Sequence, residues 1–146
     1  MTTSLPQDIY QQIIEGAPEA IMLADRQGII RLWNAGAASL FGYAADEALG
    51  QSLDLIIPEP MRVRHWEGYH RVMATGETAY GTKLLAVPAM HRDGHRLSVE
   101  FSIVMVRGAA GELAGVATIM RDSTERWKKE KAMKERLAEL ESANQP

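Results

Sequence analysis

The sequence predicts an α+β fold, an antiparallel sheet covered by helices on one face, from three observations. The first is the order of patterns: two short strand-like runs, a block of helical periodicity, then three further strand-like runs. The second is the alternation of Leu97, Val99, Phe101, Ile103 and Met105 with Ser98, Glu100 and Ser102, which marks a half-buried strand. The third is the stretch Pro58–Gly76, whose apolar residues recur at helical spacing between entry prolines and a terminal Thr75-Gly76 pair.

In chain order, Pro6–Glu15 forms a short amphipathic helix with Ile9, Ile13 and Ile14 on one face, closed by Gly16 and Pro18. Ala20–Ala24 and Ile29–Trp33 are strands of a hairpin about the turn Asp25-Arg26-Gln27-Gly28. Strict alternation puts Ile30 and Leu32 on one face and Ile29, Arg31 and Trp33 on the other, a face left for the N-terminal helix or a partner subunit. Asn34 then caps a helix through Phe41, which Gly42-Tyr43 ends, and Ala44–Leu49 makes one more short helix. After Gly76 the period changes to two: Tyr80–Val87, the Leu97–Met105 strand behind the Arg92-Asp93-Gly94 turn, and Leu113–Arg121. From Asp122 the chain is densely charged, with Met133, Leu137 and Leu140 spaced four and three. That spacing fits a solvated terminal helix or a dimerising connector too short to be a coiled coil alone.

A chain of 146 residues carries one domain with appendages. Sixteen basic against nineteen acidic residues, with no basic stripe, argue against nucleic acid and anionic membrane as partners. No signal peptide and no apolar run of membrane-spanning length is present, so a cytoplasmic protein is expected. The absence of cysteine removes disulfides, thiolate catalysis and zinc–sulfur or iron–sulfur sites; metal chemistry falls to histidine, carboxylate or methionine.

Placed on a wheel from Met61, the side chains Met61, Trp66, Tyr69, Val72 and Met73 share an arc of about 140°, and His65 lies inside it. Such a histidine is either a neutral core residue hydrogen-bonded to backbone or a metal ligand through its free imidazole nitrogen. His70 projects at the edge of the arc, and His91 and His95 flank the Arg92-Asp93-Gly94 turn and are expected in solvent. Glu59, His65, Glu67 and His70 offer acid and base groups, but no nucleophile or phosphate loop accompanies them, so the chain is not expected to be an enzyme.

Asp25-x-x-Gly28 with Ile-Ile-Arg-Leu-Trp-Asn ending at Asn34, Phe41-Gly42-Tyr43, the Arg92-Asp93-Gly94 turn and Met120-Arg-Asp-Ser-Thr-Glu-Arg126 together resemble a PAS domain, the sensory module of bacterial signalling proteins. The resemblance implies a five-stranded antiparallel sheet over residues 19–121, helices enclosing a ligand pocket on its inner face, and an N-terminal cap helix over 1–18. It also implies a signalling linker helix over 122–146, leading in a homodimer to an effector domain, as in two-component systems.

Within that family, Pro58-Glu59-Pro60 through Arg64-His65 to Tyr69 is similar to the haem-binding PAS domains of oxygen-sensing bacterial kinases and phosphodiesterases. The resemblance implies haem b with His65 as proximal iron ligand, in an apolar cleft of Met61, Trp66, Tyr69, Val72, Leu84, Leu85, Phe101, Ile103, Met105, Thr118 and Met120. Arg62, Arg64 and His70 are the candidate propionate partners. Two positions depart from the pattern: Leu84-Leu85 stands where the kinases carry a distal arginine, and Lys83 where the phosphodiesterases carry a methionine ligand. A distal wall of Leu85, Phe101 and Ile103 offers dioxygen no donor and favours carbon monoxide or nitric oxide over O2, with Thr118 and Met120 as the remaining polar and sulfur groups on that side. FAD or a small apolar metabolite is the alternative ligand, and a haem-free dimerisation module the alternative function.

Overall fold

The computed structural model describes residues 4–78 and 84–144. Helix α1 (Ile9–Gly16) leads into β1 (Ala20–Asp25) and β2 (Ile30–Trp33), followed by α2 (Ala35–Phe41) and the single turn α3 (Ala45–Ala48). Two 3-10 turns, Leu53–Leu55 and Glu59–Met61, precede α4 (Arg62–Thr75). Strands β3 (Leu85–Met90), β4 (Arg96–Arg107) and β5 (Leu113–Asp122) complete the sheet, and α5 (Thr124–Ala143) leaves it. The order β2-β1-β5-β4-β3, antiparallel throughout, places the first and last strands of the domain side by side at the centre. The α+β class and the five-stranded antiparallel sheet are therefore as expected. Tyr80–Lys83, the expected start of the third strand, lie outside the described residues.

Register sorts the faces. Ala20, Met22 and Ala24 on β1 oppose Met120, Thr118 and Val116 on β5; across β4 these continue as Phe101, Ile103 and Met105, with Leu85 opposite Phe101 on β3. Residues directly paired across an antiparallel ladder share a face, so all of these line the inner side of the sheet. The main core forms where Met22, Ile30, Trp33, Phe41, Val99 and Met120 meet α2 and α3. A second cluster forms where Tyr69 and Met73 of α4 meet Ala24, Leu113 and Val116.

Strict alternation fails at β2. A β-bulge between Leu23 and Ala24 pairs Met22 with Trp33, Leu23 with Leu32 and Ala24 with Ile30, leaving Arg31 unopposed. Trp33 is consequently buried in the main core, against Phe41 at 5.5 Å between ring centroids, with its indole N–H donated to Tyr43 O at 2.9 Å. Arg31 points to solvent and pairs with Asp25. The expected placement of Trp33 beside Arg31 on the outer face is thus corrected: the bulge flips one residue and not the other.

Asn34 is the expected cap and more. Its Oδ1 accepts from Ala37 N at 2.9 Å and from Ile21 N at 2.8 Å, while its Nδ2 donates to Ile14 O at 2.8 Å and Glu19 O at 3.0 Å. One buried amide therefore joins α1, β1 and α2.

Candidate functional site

The expected helix Pro58–Gly76 is divided by its prolines. Glu59–Met61 is a 3-10 turn with Pro58 at its N-cap and Pro60 at its second position, and α-helical geometry begins only at Arg62. The tighter turn changes the phase of Met61 relative to α4, so Met61 lies on the surface, 37 % exposed, outside the apolar stripe assigned to it. Leu84, 64 % exposed, precedes β3, and alternation brings Leu85 to the inner face instead. These two expected lining residues thus lie away from the apolar side chains of the inner face. Lys83 lies outside the described residues.

The remaining α4 side chains converge. His65 lies edge-on to Trp66, with centroids 4.8 Å apart, and 5.7 Å from the Tyr69 ring; Trp66 and Tyr69 meet edge-on at 5.4 Å. Trp66 and Val72 pack with Ile103 and Met105 of β4 against the second cluster. Phe101 and Met120, on the same sheet face, belong to the main core. The set expected to line one cleft is thus divided between two apolar clusters along the inner face.

Anchors place α4 against the sheet. The Trp66 ring presses on Gly28, where any Cβ would lie 2.2 Å from the ring, and the turn also needs the positive φ of +77°. The indole N–H donates to Asp54 Oδ1 at 2.7 Å. Tyr69 OH donates to the carbonyls of Asp25 and, at 3.3 Å, Ala24. Burial, aided by the nearby Asp25 charge, pushes the Tyr69 phenol up to about 12, so it serves as a neutral donor. Arg26 reaches Leu113 O at 2.8 Å and Met73 O at 3.2 Å, tying the end of α4 to β5. The Asp54 and Arg26 anchors were not foreseen. For Asp54, the Ser52-x-Asp54 spacing of a turn cap is the one local signal, realised as Asp54 N donating to Ser52 Oγ.

The polar balance here is incomplete. Among the described residues, two buried side-chain polar atoms have no hydrogen-bond partner: His65 Nδ1 and Thr118 Oγ1. Thr118 faces inward from β5 between Met22 and Ile103. Burial holds the His65 imidazole below its usual value, and the Asp54 carboxylate only partly offsets this, which favours the neutral ring that a metal ligand needs. An orphaned imidazole nitrogen in an aromatic and aliphatic setting fits a metal-centred apolar group such as haem, and Thr118 places one hydroxyl on the facing wall. Of the expected propionate partners, Arg62 is engaged by the carbonyls of Ile57 and Asp54, whereas Arg64 and His70 are exposed, His70 stacking on Trp66 at 6.0 Å.

The family model described as the PAS fold matches residues 8–123. The chain belongs to the PAS family. It is 30 % identical over 131 residues to the sensor protein FixL of Bradyrhizobium diazoefficiens, covering 89 % of this chain and 25 % of that protein. It is 31 % identical over 132 residues to the signal transduction histidine-protein kinase AtoS of Escherichia coli K12, covering 88 % of this chain and 20 % of the kinase. The chain therefore spans a quarter or less of these two relatives. Among solved structures, the PAS domain of a Colwellia psychrerythraea protein superposes with a TM-score of 0.69 at 24 % identity, over 80 % of this chain and 95 % of that one. An RNA-binding light-oxygen-voltage receptor superposes with a TM-score of 0.75 at 23 % identity, over 94 % and 40 %. At that identity both likenesses establish the fold alone. This PAS domain is a sensory and signalling module, and no helix among its described residues is long and apolar enough to cross a membrane.

Proposed function

We propose that this PAS domain binds haem b through His65 and passes the state of that site to α5. The observation that carries the reading is the buried, unpartnered Nδ1 of His65, at the position the haem-binding PAS resemblance marks as the iron ligand. Bound haem supplies an iron that takes diatomic gases or changes redox state. The chain's own residues hold and seclude it: His65 as ligand, Trp66, Tyr69 and Val72 on the helix side, Leu85, Phe101, Ile103 and Met105 on the sheet side, with Thr118 as a hydroxyl facing them. Among the described residues that wall carries no cationic donor, which favours carbon monoxide or nitric oxide over dioxygen.

Strand β4 is the route to α5. Its inner face carries Val99, Phe101 and Ile103; its outer face carries Ser98 and Glu100, and both grip α5. Ser98 N donates to Thr124 Oγ1 at 3.0 Å, Ser123 N donates to Ser98 O at 2.8 Å, and the buried Glu100 pairs with Arg126. Arg96 lies over the Trp127 ring at 4.7 Å. A displacement of Phe101 or Ile103 by a ligand therefore acts on the helix through the same few residues of backbone. The exposed Tyr10 and Ile13 of α1, with Met133, Leu137 and Leu140 of α5, support a homodimer in which α5 leads to an effector domain of the full-length protein.

Purified protein reconstituted with haemin is expected to give a sharp Soret band that His65→Ala abolishes while the circular dichroism of the fold is retained. An unchanged spectrum in the variant would sink the assignment, and saturable FAD binding without a haem spectrum would favour the flavin alternative.

A further inference from the structure

A second cluster of ligating groups lies at the other end of β4 from Ile103 and Met105. The β3–β4 hairpin carries His91, Asp93 and His95, alternating through a five-residue connection, and one ligand atom from each falls within 4.8 Å of the others. The backbone holds the turn closed: His91 N donates to His95 O at 3.0 Å, and Gly94 N to His91 O at 2.9 Å. Gly94 takes a φ of +92° to let the chain return. The imidazoles stack at 4.5 Å between centroids with an interplanar angle of 19°. Both present Nδ1 to the same oxygen: His91 Nδ1 lies 3.2 Å from Asp93 Oδ1, and His95 Nδ1 contacts that oxygen directly.

Neighbouring residues fix this arrangement. The His91 ring is wedged against Gly42, where an added Cβ would come within 2.6 Å of Cε1 and 2.7 Å of Nε2, so its Nε2 edge is occupied by backbone and Nδ1 is left to turn inward. That nitrogen lies 3.2 Å from the Asp93 backbone N, a long hydrogen bond that a bound cation would replace. Arg92, the one cation within the turn, is drawn away by Glu47 at 2.6 Å and lies over the Tyr43 ring at 5.7 Å, so its charge does not oppose a cation at the carboxylate.

We propose that His91, Asp93 and His95 form a surface site for a borderline divalent transition cation such as Zn2+, Ni2+ or Cu2+. Two imidazole nitrogens and one carboxylate oxygen are the donor set such ions prefer, and three protein ligands leave the remaining positions to water. Ligand atoms around a zinc-sized ion sit about 3–4 Å apart, so small side-chain rotations close the present triangle. The site shares no residue with the His65 cluster, and occupancy stiffens the hairpin that joins β3 to β4.

The test uses the untagged 146-residue chain, stripped with chelator and free of haem, titrated calorimetrically with zinc. One equivalent is expected to bind saturably, with affinity reduced more than about tenfold in His95→Ala and in Asp93→Asn, and unchanged in the exposed Glu67→Gln. Absence of saturable binding, or binding in His95→Ala and Asp93→Asn equal to wild type, overturns the proposal. As an independent readout, substoichiometric Ni2+ is expected to broaden the imidazole NMR signals of His91 and His95 in the wild-type protein. Broadening confined to His65 or His70 overturns it equally.

Discussion

Asn34 and His65 are both polar side chains set among apolar ones, and the molecule treats them oppositely. Around Asn34 both amide atoms are satisfied, and the amide ties three elements together. Around His65 one buried nitrogen has no partner, and Thr118 on the facing strand repeats the defect. A buried polar group without a partner costs free energy, so the half of the fold under α4 bears a cost that the half around Asn34 does not. The half around α2 and α3 is arranged for stability. The lesson is positional: the same five-stranded sheet supports a core with its buried amide fully satisfied at one end and a cluster with unpartnered polar atoms at the other.

The sharpest way to break this comparison is Asn34→Ala. It strands the Ile21 and Ala37 N–H groups and several carbonyls, and is expected to lower unfolding free energy by about 3 kcal/mol or more in urea titration. A loss below about 1 kcal/mol would show that the amide is not the junction described. Tyr69→Phe removes the phenol's donation to the β1 carbonyls and leaves the ring in place, for an expected loss of about 1 kcal/mol by the same measurement.

His65→Leu tests the titration. Burial lowers the folded-state imidazole below the unfolded value near 6.5, so between the two values the unfolded chain binds more protons and stability falls as pH drops below 6.5. In haem-free protein, His65→Leu is expected to flatten the change between about pH 7.5 and about pH 5.5 by under about 1 kcal/mol, since the ring is only half-buried. A slope identical to wild type would place the depressed group elsewhere. Thr118→Val has the smallest expected effect, within about 0.5 kcal/mol of neutral or slightly stabilising, because no hydrogen bond is lost. A loss above about 1 kcal/mol would mean that the hydroxyl is partnered.

Much of this was legible in the residues. The alternation along Leu97–Met105 placed the inner face of β4, because a strand's period of two is a local property of its backbone. Asn34 was readable as a cap because capping uses residues three apart. What misled were features that change phase. The prolines at 58 and 60 turned one expected helix into a 3-10 turn followed by an α-helix and moved Met61 to the surface. The bulge at Arg31 turned Trp33 inward. Neither shift leaves a mark in periodicity, since each is one residue long.

By itself the sequence determined the class of fold, the order of its elements and the inward direction of His65, all of which follow from patterns within a few residues of chain. Tertiary structure decided which apolar residues share a cluster, that His65 Nδ1 and Thr118 Oγ1 are buried without partners, and that Glu100 meets Arg126. It also decided that His91, Asp93 and His95 turn toward one point, because Gly42, distant in sequence, wedges the His91 ring in place. The physical reason is common to all of these: pairing and burial depend on groups brought together across strands and helices, and no local periodicity encodes that distance.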